Sequence, residues 1–421
     1  MDFLPLLMRR NPNLIRTAVE LHQSGQVEPA TFLLDLDMIE RNAKIIKDSA
    51  DRSGISLYNM SKQYGRNPLV CQAIKNAGIP KTVAVNMWDA ETLWRYGFEI
   101  GHIGHLIQIP KHNIKFVLKE MHPEVFTVFT IEKTKQISKV ASELGMKQDL
   151  LLRVWKEGDF MWFPGGFNID EVEHAAKLIQ ELPGVRVVGV TDFPCFELDL
   201  TTLTEKPSSN FDTVVEAASR LRSIGINVVQ VNTPPDNSSA TMKIGAEKGG
   251  THQEPGHGFT GTTPLHAFKD LPEMPALLFV SEVIQTVGSK AFVVSGNVIV
   301  DNVLGVTNMI GQPRRGMKAM VGDDPDAMLS QQPLTSLPSE GYYDFTINSS
   351  QGAYRPKVGD SAVYGFRAQI SAGTRVRVAV VRGVRRRNPT VLGTFDSFGN
   401  LVDEHNRPLP DSEVLDLMSR I

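Results

Sequence analysis

Residues 125–154 read VFTVFTIEKTKQISKVASELGMKQDLLLRV, which is a strand, a helix and a strand in one line. Residues 125–129 are apolar but for Thr127, 131–144 carry their apolar side chains at helical spacing, and 150–154 are apolar but for Arg153. Both strands are rich in Val, Leu and Phe, as strands buried on two faces should be. The same text recurs on either side. Further strands are expected at 56–60, 82–86, 102–107, 186–190, 227–231 and 251–254, and helices at 67–77, 89–96, 169–182 and 211–224. About eight βα units over roughly 200 residues suit a closed (β/α)8 barrel of the TIM type. An open doubly wound sheet is the alternative, but no GxGxxG turn follows the first strand.

Outside that block the pattern changes. Residues 10–24 read as a helix with Leu14, Ala18 and Leu21 on one stripe and Asn11 or Asn13 as its cap. The short apolar strand 31–36 follows, then a helix carrying Met38, Ile39, Ala43, Ile45 and Ile46. Beyond residue 275 the segments 276–287, 290–300, 342–347 and 359–383 read as strands broken by Gly, Pro and Asn. The polar stretch 311–337 reads as a long loop, and 412–419 as a last helix. The expected organisation is a helical extension over 1–30, a barrel over 31–275 and a β-domain over 276–421. Strand 31–36 could join the β-domain instead.

Composition excludes several classes. Hydrophobic residues are 41% and charged residues 22% of 421, so the chain is not disordered. Lys+Arg 44 against Asp+Glu 47 leaves −3, which is no field for nucleic acid. The basic run Arg385, Arg386, Arg387 reads as a solvated turn. Two cysteines, Cys71 and Cys195, make neither a disulfide framework nor a cysteine-rich zinc site. The apolar run Phe3 to Met8 is interrupted by Pro5 and is too short for a membrane span or signal core. The expectation is a soluble cytoplasmic protein without membrane or nucleic-acid partners.

In such a barrel, chemistry gathers where strands end. The first expected strand runs into MSKQYG, with Lys62 and Tyr64. Arg153 lies inside the fifth. TDFPC, with Asp192 and Cys195, follows the sixth. VNTPPDNSSATM, with Asn232, Asn237, Ser238, Ser239 and Thr241, follows the seventh, and QEPGHG, with Glu254, Gly256, His257 and Gly258, the eighth. Lys62 is either a surface lysine or a desolvated amine fit for a Schiff base. The Asn-Ser and Pro-Gly loops are turns and caps, or a phosphate cradle. Glu254 is a loop acid, or the partner of a protonated ring nitrogen. Arg153 calls for a buried anion, structural or bound. His102 and His105 have metal-like spacing, but on a strand i and i+3 point to opposite faces, so no metal centre is expected.

These motifs in this order resemble the fold type III pyridoxal phosphate enzymes, the alanine racemase-like proteins, over about Phe32 to Val402. The wording of KQYGRNP, VFTVFT, TDFPC, EPGHGFTGTTP and GFRAQI is similar to the YhfX group of bacterial proteins. The resemblance implies pyridoxal 5′-phosphate as cofactor, joined to Lys62 as a Schiff base. Tyr64, Arg153, Asp192 and Asn237 would line the cofactor. Ser238 and Ser239, with the backbone of Gly256 and His257, would hold its phosphate, and Glu254 would face its pyridine nitrogen. Racemases carry arginine at that last place, whereas ornithine and diaminopimelate decarboxylases carry glutamate in EPGR. At 192 many relatives have a histidine packed on the ring; this chain has aspartate. The implied activity is an amino-acid racemase or epimerase, an isomerase, with Lys62 as one base. The other is a tyrosine of a partner subunit in a homodimer; Tyr342, Tyr343, Tyr354 and Tyr364 are the candidates, Tyr354 and Tyr364 foremost. An amino-acid decarboxylase ranks second, because both cysteines lie in the barrel half rather than in the β-domain. A cofactor-carrier protein ranks third, because such proteins lack the β-domain.

Overall fold

In the computed structural model of the protein, Val125–Val128 and Gln148–Trp155 lie parallel, joined by the helix Ile131–Glu143. Residues 3–160, 165–298, 300–301, 317–338, 343–350, 352–368, 370 and 375–421 are described. The helix starts where extended Thr130 accepts a hydrogen bond from the Lys133 N–H, and it buries Ile137 and Ala141. Eight strand positions repeat this arrangement: β1 (Ser56–Leu57 and Asn59–Met60), β2 (Lys81–Ala84), β3 (Glu99–Ile103), β4 (Val125–Val128), β5 (Gln148–Trp155), β6 (Val185–Thr191), β7 (Gln230–Asn232) and β8 (His252–Gln253). Each pairs in parallel with the next. The first half of β1 pairs with β8 and its second half with β2. The sheet therefore closes on itself as the expected (β/α)8 barrel.

Two strands differ from their sequence reading. β3 starts at Glu99 and stops at Ile103, because Gly104 adopts φ +76 and turns the chain. β7 is Gln230–Asn232, shifted towards the loop that follows it. Gly101 on β3 is dictated by packing, since a Cβ there would stand 2.4 Å from the Tyr58 ring. Tyr58 joins Met60, Val83, Val85, Leu106 and Phe193 in one apolar cluster.

The chain forms two compact units. One comprises residues 44–61 and 74–256 and contains the barrel; the other comprises 1–43, 62–73 and 257–421. The second unit holds a nine-stranded sheet. Its order is Lys290–Val294, Asp344–Asn348, Leu334–Pro338, Met317–Gly322, Ser361–Tyr364, Leu277–Val287, Thr31–Asp35, Arg377–Arg382 and Thr390–Phe395. Thr31–Asp35 runs parallel to Arg377–Arg382, and all other neighbours are antiparallel. The short strand 31–36 of the sequence reading is thus an interior strand of this sheet.

The N-terminal helix is two helices, Leu4–Arg10 and Pro12–Gln23, separated at Asn11 by the proline that opens the second. Asn11 does not cap with its side chain; its Nδ2 donates to the Pro275 carbonyl at 2.9 Å. Leu7, Leu14, Ile15, Ala18 and Val19 pack with Leu33, Leu278, Val363 and Val381 of the sheet. The stretch read as a loop over 311–337 needs correcting. From residue 317 it contains the strands Met317–Gly322 and Leu334–Pro338 around the helix Pro325–Leu329; 311–316 lie outside the described residues. Arg385, Arg386 and Arg387 are exposed on the turn between the last two strands. Among the described residues no disulfide forms, and Cys71 and Cys195 are both buried. Among the described residues no helix is long and apolar enough to cross a membrane.

Candidate active site

Glu254 follows β8 directly and is fully buried. A buried carboxylate needs partners, and the barrel supplies them from three strands. His102, near the end of β3, places Nδ1 2.5 Å from Oε1, and Asn232, the last residue of β7, donates Nδ2–H to the same oxygen at 2.6 Å. The Glu254 N–H donates to Asn237 Oδ1 at 2.8 Å, which ties the loop after β7 to the end of β8. Behind His102, Thr127 of β4 lies 2.5 Å from Nε2. His105 Nε2 is 3.8 Å from Oε2 of Glu254. Among the described residues no hydrogen-bond donor reaches Oε2. Burial works to raise the Glu254 pKa. The charges of His105 and His102, and the hydrogen bonds from His102 and Asn232, outweigh it and hold the carboxyl at about 2. Glu254 is therefore an ionised carboxylate with one open oxygen.

The opposite-faces argument for His102 and His105 is corrected by this geometry. His105 is not on a strand. Gly104 bends the backbone between the two, and their rings meet edge to face with centroids 5.0 Å apart. His102, His105 and Glu254 bring three nitrogen or oxygen atoms within 4.8 Å of one another, all buried. The glycine inside HIGH is the signal that could have revealed this.

Arg153 and Asp192 have each other. Arg153 Nε lies 2.7 Å from Asp192 Oδ1, and both side chains are sealed from solvent. Asn210, unnoticed in the sequence, donates to Asp192 Oδ2 at 2.7 Å, and the guanidinium lies 5.4 Å from the centre of the Phe129 ring. Burial pushes the Asp192 carboxyl up to about 6 against the pull of Arg153. Cys195 hydrogen-bonds to the Asp192 carbonyl, and burial raises its thiol well above the ordinary range, so it is no nucleophile.

Ser238 caps the helix Ser239–Glu247, its hydroxyl accepting from the Ala240 N–H, and Thr241 Oγ1 donates to Gln253 of β8. The helix start beyond β7 thus offers backbone N–H groups and a positive dipole end. Gly256 closes the barrel unit.

The remaining candidates belong to the second unit. Lys62 is half-buried in the turn Ser61–Tyr64, two residues past β1. Tyr64 is buried with its hydroxyl 3.8 Å from Cys71 Sγ. His257 is buried. That desolvation, with the positive charges of Arg367 and Lys62, keeps its imidazole neutral. The Tyr354 hydroxyl donates to Asp360 Oδ2 at 2.9 Å. Tyr364 is sealed among Phe279, Phe345 and Phe366, its hydroxyl 3.2 Å from Ser336. Burial raises both phenols above their ordinary range. Tyr343 is exposed, and Tyr342 lies outside the described residues.

Comparison with known proteins matches residues 34–264 to the alanine racemase N-terminal domain. The chain is 33% identical over 403 residues to a protein of Escherichia coli K12 described as uncharacterized protein YhfX, covering 94% of this chain and 99% of that one. Solved structures that share the fold include the following three. D-threonine aldolase from Filomicrobium marinum is 16% identical, covers 88% of this chain and 95% of its own, and has a TM-score of 0.61. D-threo-3-hydroxyaspartate dehydratase from Delftia sp. HT23 is 15% identical, with 87% and 97% covered and a TM-score of 0.63. Alanine racemase from Corynebacterium glutamicum is 16% identical, with 82% and 91% covered and a TM-score of 0.58.

Proposed function

The chain belongs to the alanine racemase N-terminal domain family, near YhfX, and on that premise we propose that it is a pyridoxal phosphate-dependent racemase or epimerase of a free amino acid. The observation that carries the reading is Glu254, a buried, ionised carboxylate with one oxygen open. An acceptor of that kind fits a pyridinium N–H. The helix start at Ser239 and the glycine at 256 fit a phosphate. When bound, the cofactor supplies an electron sink for negative charge developing at the substrate α-carbon.

The chain's own groups do the rest. Lys62 would hold the cofactor through Nζ and would serve as the base on one face of the substrate α-carbon. Ser238, Ser239 and the backbone N–H groups of Gly256 and His257 would hold the phosphate, next to a His257 whose imidazole stays uncharged. Glu254 would accept from the protonated ring nitrogen through Oε2. Arg153 and Asp192 neutralise each other and stiffen the wall between β5 and β6, where relatives place a ring-packing histidine. The second proton carrier is a tyrosine. Tyr354 is partly exposed whereas Tyr364 is sealed, and a phenol with a raised pKa stays protonated and ready to donate. The working form is a homodimer in the cytoplasm, with the partner subunit contributing that tyrosine.

A decarboxylase is the second reading, favoured by the glutamate at 254. The test separates them. Incubation in deuterated water with a panel of L- and D-amino acids should label an α-carbon and interconvert enantiomers. Carbon dioxide release without interconversion would favour the decarboxylase, and no reaction with any amino acid would favour the carrier.

A further inference from the structure

Oε1 of Glu254 is filled twice over. His102 and Asn232 converge on it at 2.5 and 2.6 Å, close enough together that His102 Nδ1 and Asn232 Nδ2 are 3.3 Å apart. An ionised carboxylate only accepts, so Nδ1 carries the proton. Thr127 fixes the opposite edge of the imidazole through Nε2, so the ring cannot turn away. The main chain of Glu254 is pinned by Asn237. All these groups are buried, and the strands that carry them also pair through their backbones.

We infer that His102 is a positioning residue. With Asn232 it saturates Oε1, leaving Oε2 as the single acceptor of Glu254, and it makes the carboxylate a weaker base than the cofactor's ring nitrogen. This rests on the reading that Glu254 faces that nitrogen. A proton shared between ring nitrogen and Oε2 resides on the more basic atom. Each donor on Oε1 withdraws charge from the carboxylate and moves the proton towards the ring. Without His102 the buried carboxylate becomes more basic, the proton crosses to Glu254, and the ring loses its charge. Other groups facing Glu254 cannot replace the His102 hydrogen bond to Oε1. His105 lowers the Glu254 pKa through its charge, but its Nε2 lies 3.8 Å from Oε2, beyond hydrogen-bond reach. Tyr58 of β1 stays neutral as a phenol with a raised pKa, and burial lowers His252 of β8 to about 4.

The test is 15N NMR of ring-labelled pyridoxal phosphate bound to the protein, between pH 6 and 9. Wild type should show the protonated ring position throughout. His102→Leu should move the signal to the unprotonated position. His102→Asn, whose Nδ2 can stand in for Nδ1, should restore it, an outcome that a merely structural role would not produce. An unshifted signal in His102→Leu overturns the inference. If His102→Leu does not fold, Thr127→Val loosens the same imidazole and should shift the signal part of the way; no shift there overturns the inference too. A second measurement needs no cofactor. In protein carrying 13C-carboxyl glutamate, the resonance lost in Glu254→Gln belongs to Glu254. Its midpoint should rise by about one unit or more in His102→Leu, and an unchanged midpoint contradicts the inference. If wild type binds no pyridoxal phosphate, the proposed function fails, while the carboxyl titration still decides the role of His102.

Discussion

Glutamine at position 254 would remove one charge from the end of β8 at nearly constant volume. Its amide oxygen can keep the hydrogen bonds from His102 and Asn232 if it takes the place of Oε1. The NH2 group then occupies the place of Oε2 and presents a donor where an acceptor stood. A protonated ring nitrogen has no partner in that arrangement. The lost interaction is charge-assisted and buried, contributing about 1.5–3 kcal/mol. If it acts in the transition state, α-proton exchange slows by roughly 10- to 150-fold. The groups proposed to hold the phosphate, Ser238 and Ser239 with the backbone of Gly256 and His257, are untouched by this change, so Glu254→Gln should still bind the cofactor. The assay is α-hydrogen exchange into deuterated water on whichever amino acid wild type labels, with cofactor content measured on the same samples. Equal exchange rates at equal cofactor content would remove Glu254 from the chemistry.

Acid should act through the same residue. The Glu254 pKa lies at about 2, below its ordinary 4.5, so its ionisation contributes stability that is present above pH 4.5 and lost as pH falls towards 2. Its magnitude is about 3 kcal/mol. The stability advantage of wild type over Glu254→Gln in urea titrations should shrink below pH 4.5, and a constant difference would contradict the linkage. Asp192→Asn strands a buried guanidinium and should lower stability by about 3–5 kcal/mol, read as a drop in the urea midpoint; Arg153→Met with Asp192→Leu should recover most of it. Light scattering at micromolar concentration should give twice the 46.5 kDa of one chain, and the mass of one chain would count against the dimer.

The barrel was legible because its strands are buried on both faces. The runs at 125–128 and 148–155 carry that signal without help from the rest of the chain. The ends of strands were less so. Gln230–Asn232 is an interior strand of only three residues, too short for periodicity to locate, and β3 is cut by a single backbone angle at Gly104. The strands over 317–338 were missed because Gly, Asp, Pro and Ser around them outweigh a few buried Met, Ala and Val side chains. Of the candidate site, the places of Lys62, Glu254 and the Asn-Ser loop after barrel strands could be read from the sequence. The ring of partners around Glu254 could not, since His102, Thr127 and Asn232 are brought together only by closure of the barrel. Arg153 announced a buried anion, and the structure supplies it as Asp192, at the position where the resemblance led one to look for a ring contact.

The central claim is that this chain carries pyridoxal phosphate on Lys62. Borohydride reduction of the purified, cofactor-loaded protein, followed by digestion and mass spectrometry, tests it directly. The account predicts a visible absorption band that disappears on reduction, one reduced pyridoxyl adduct per chain located on Lys62, and neither band nor adduct in Lys62→Ala. An adduct on another lysine, or one that persists in Lys62→Ala, would contradict it.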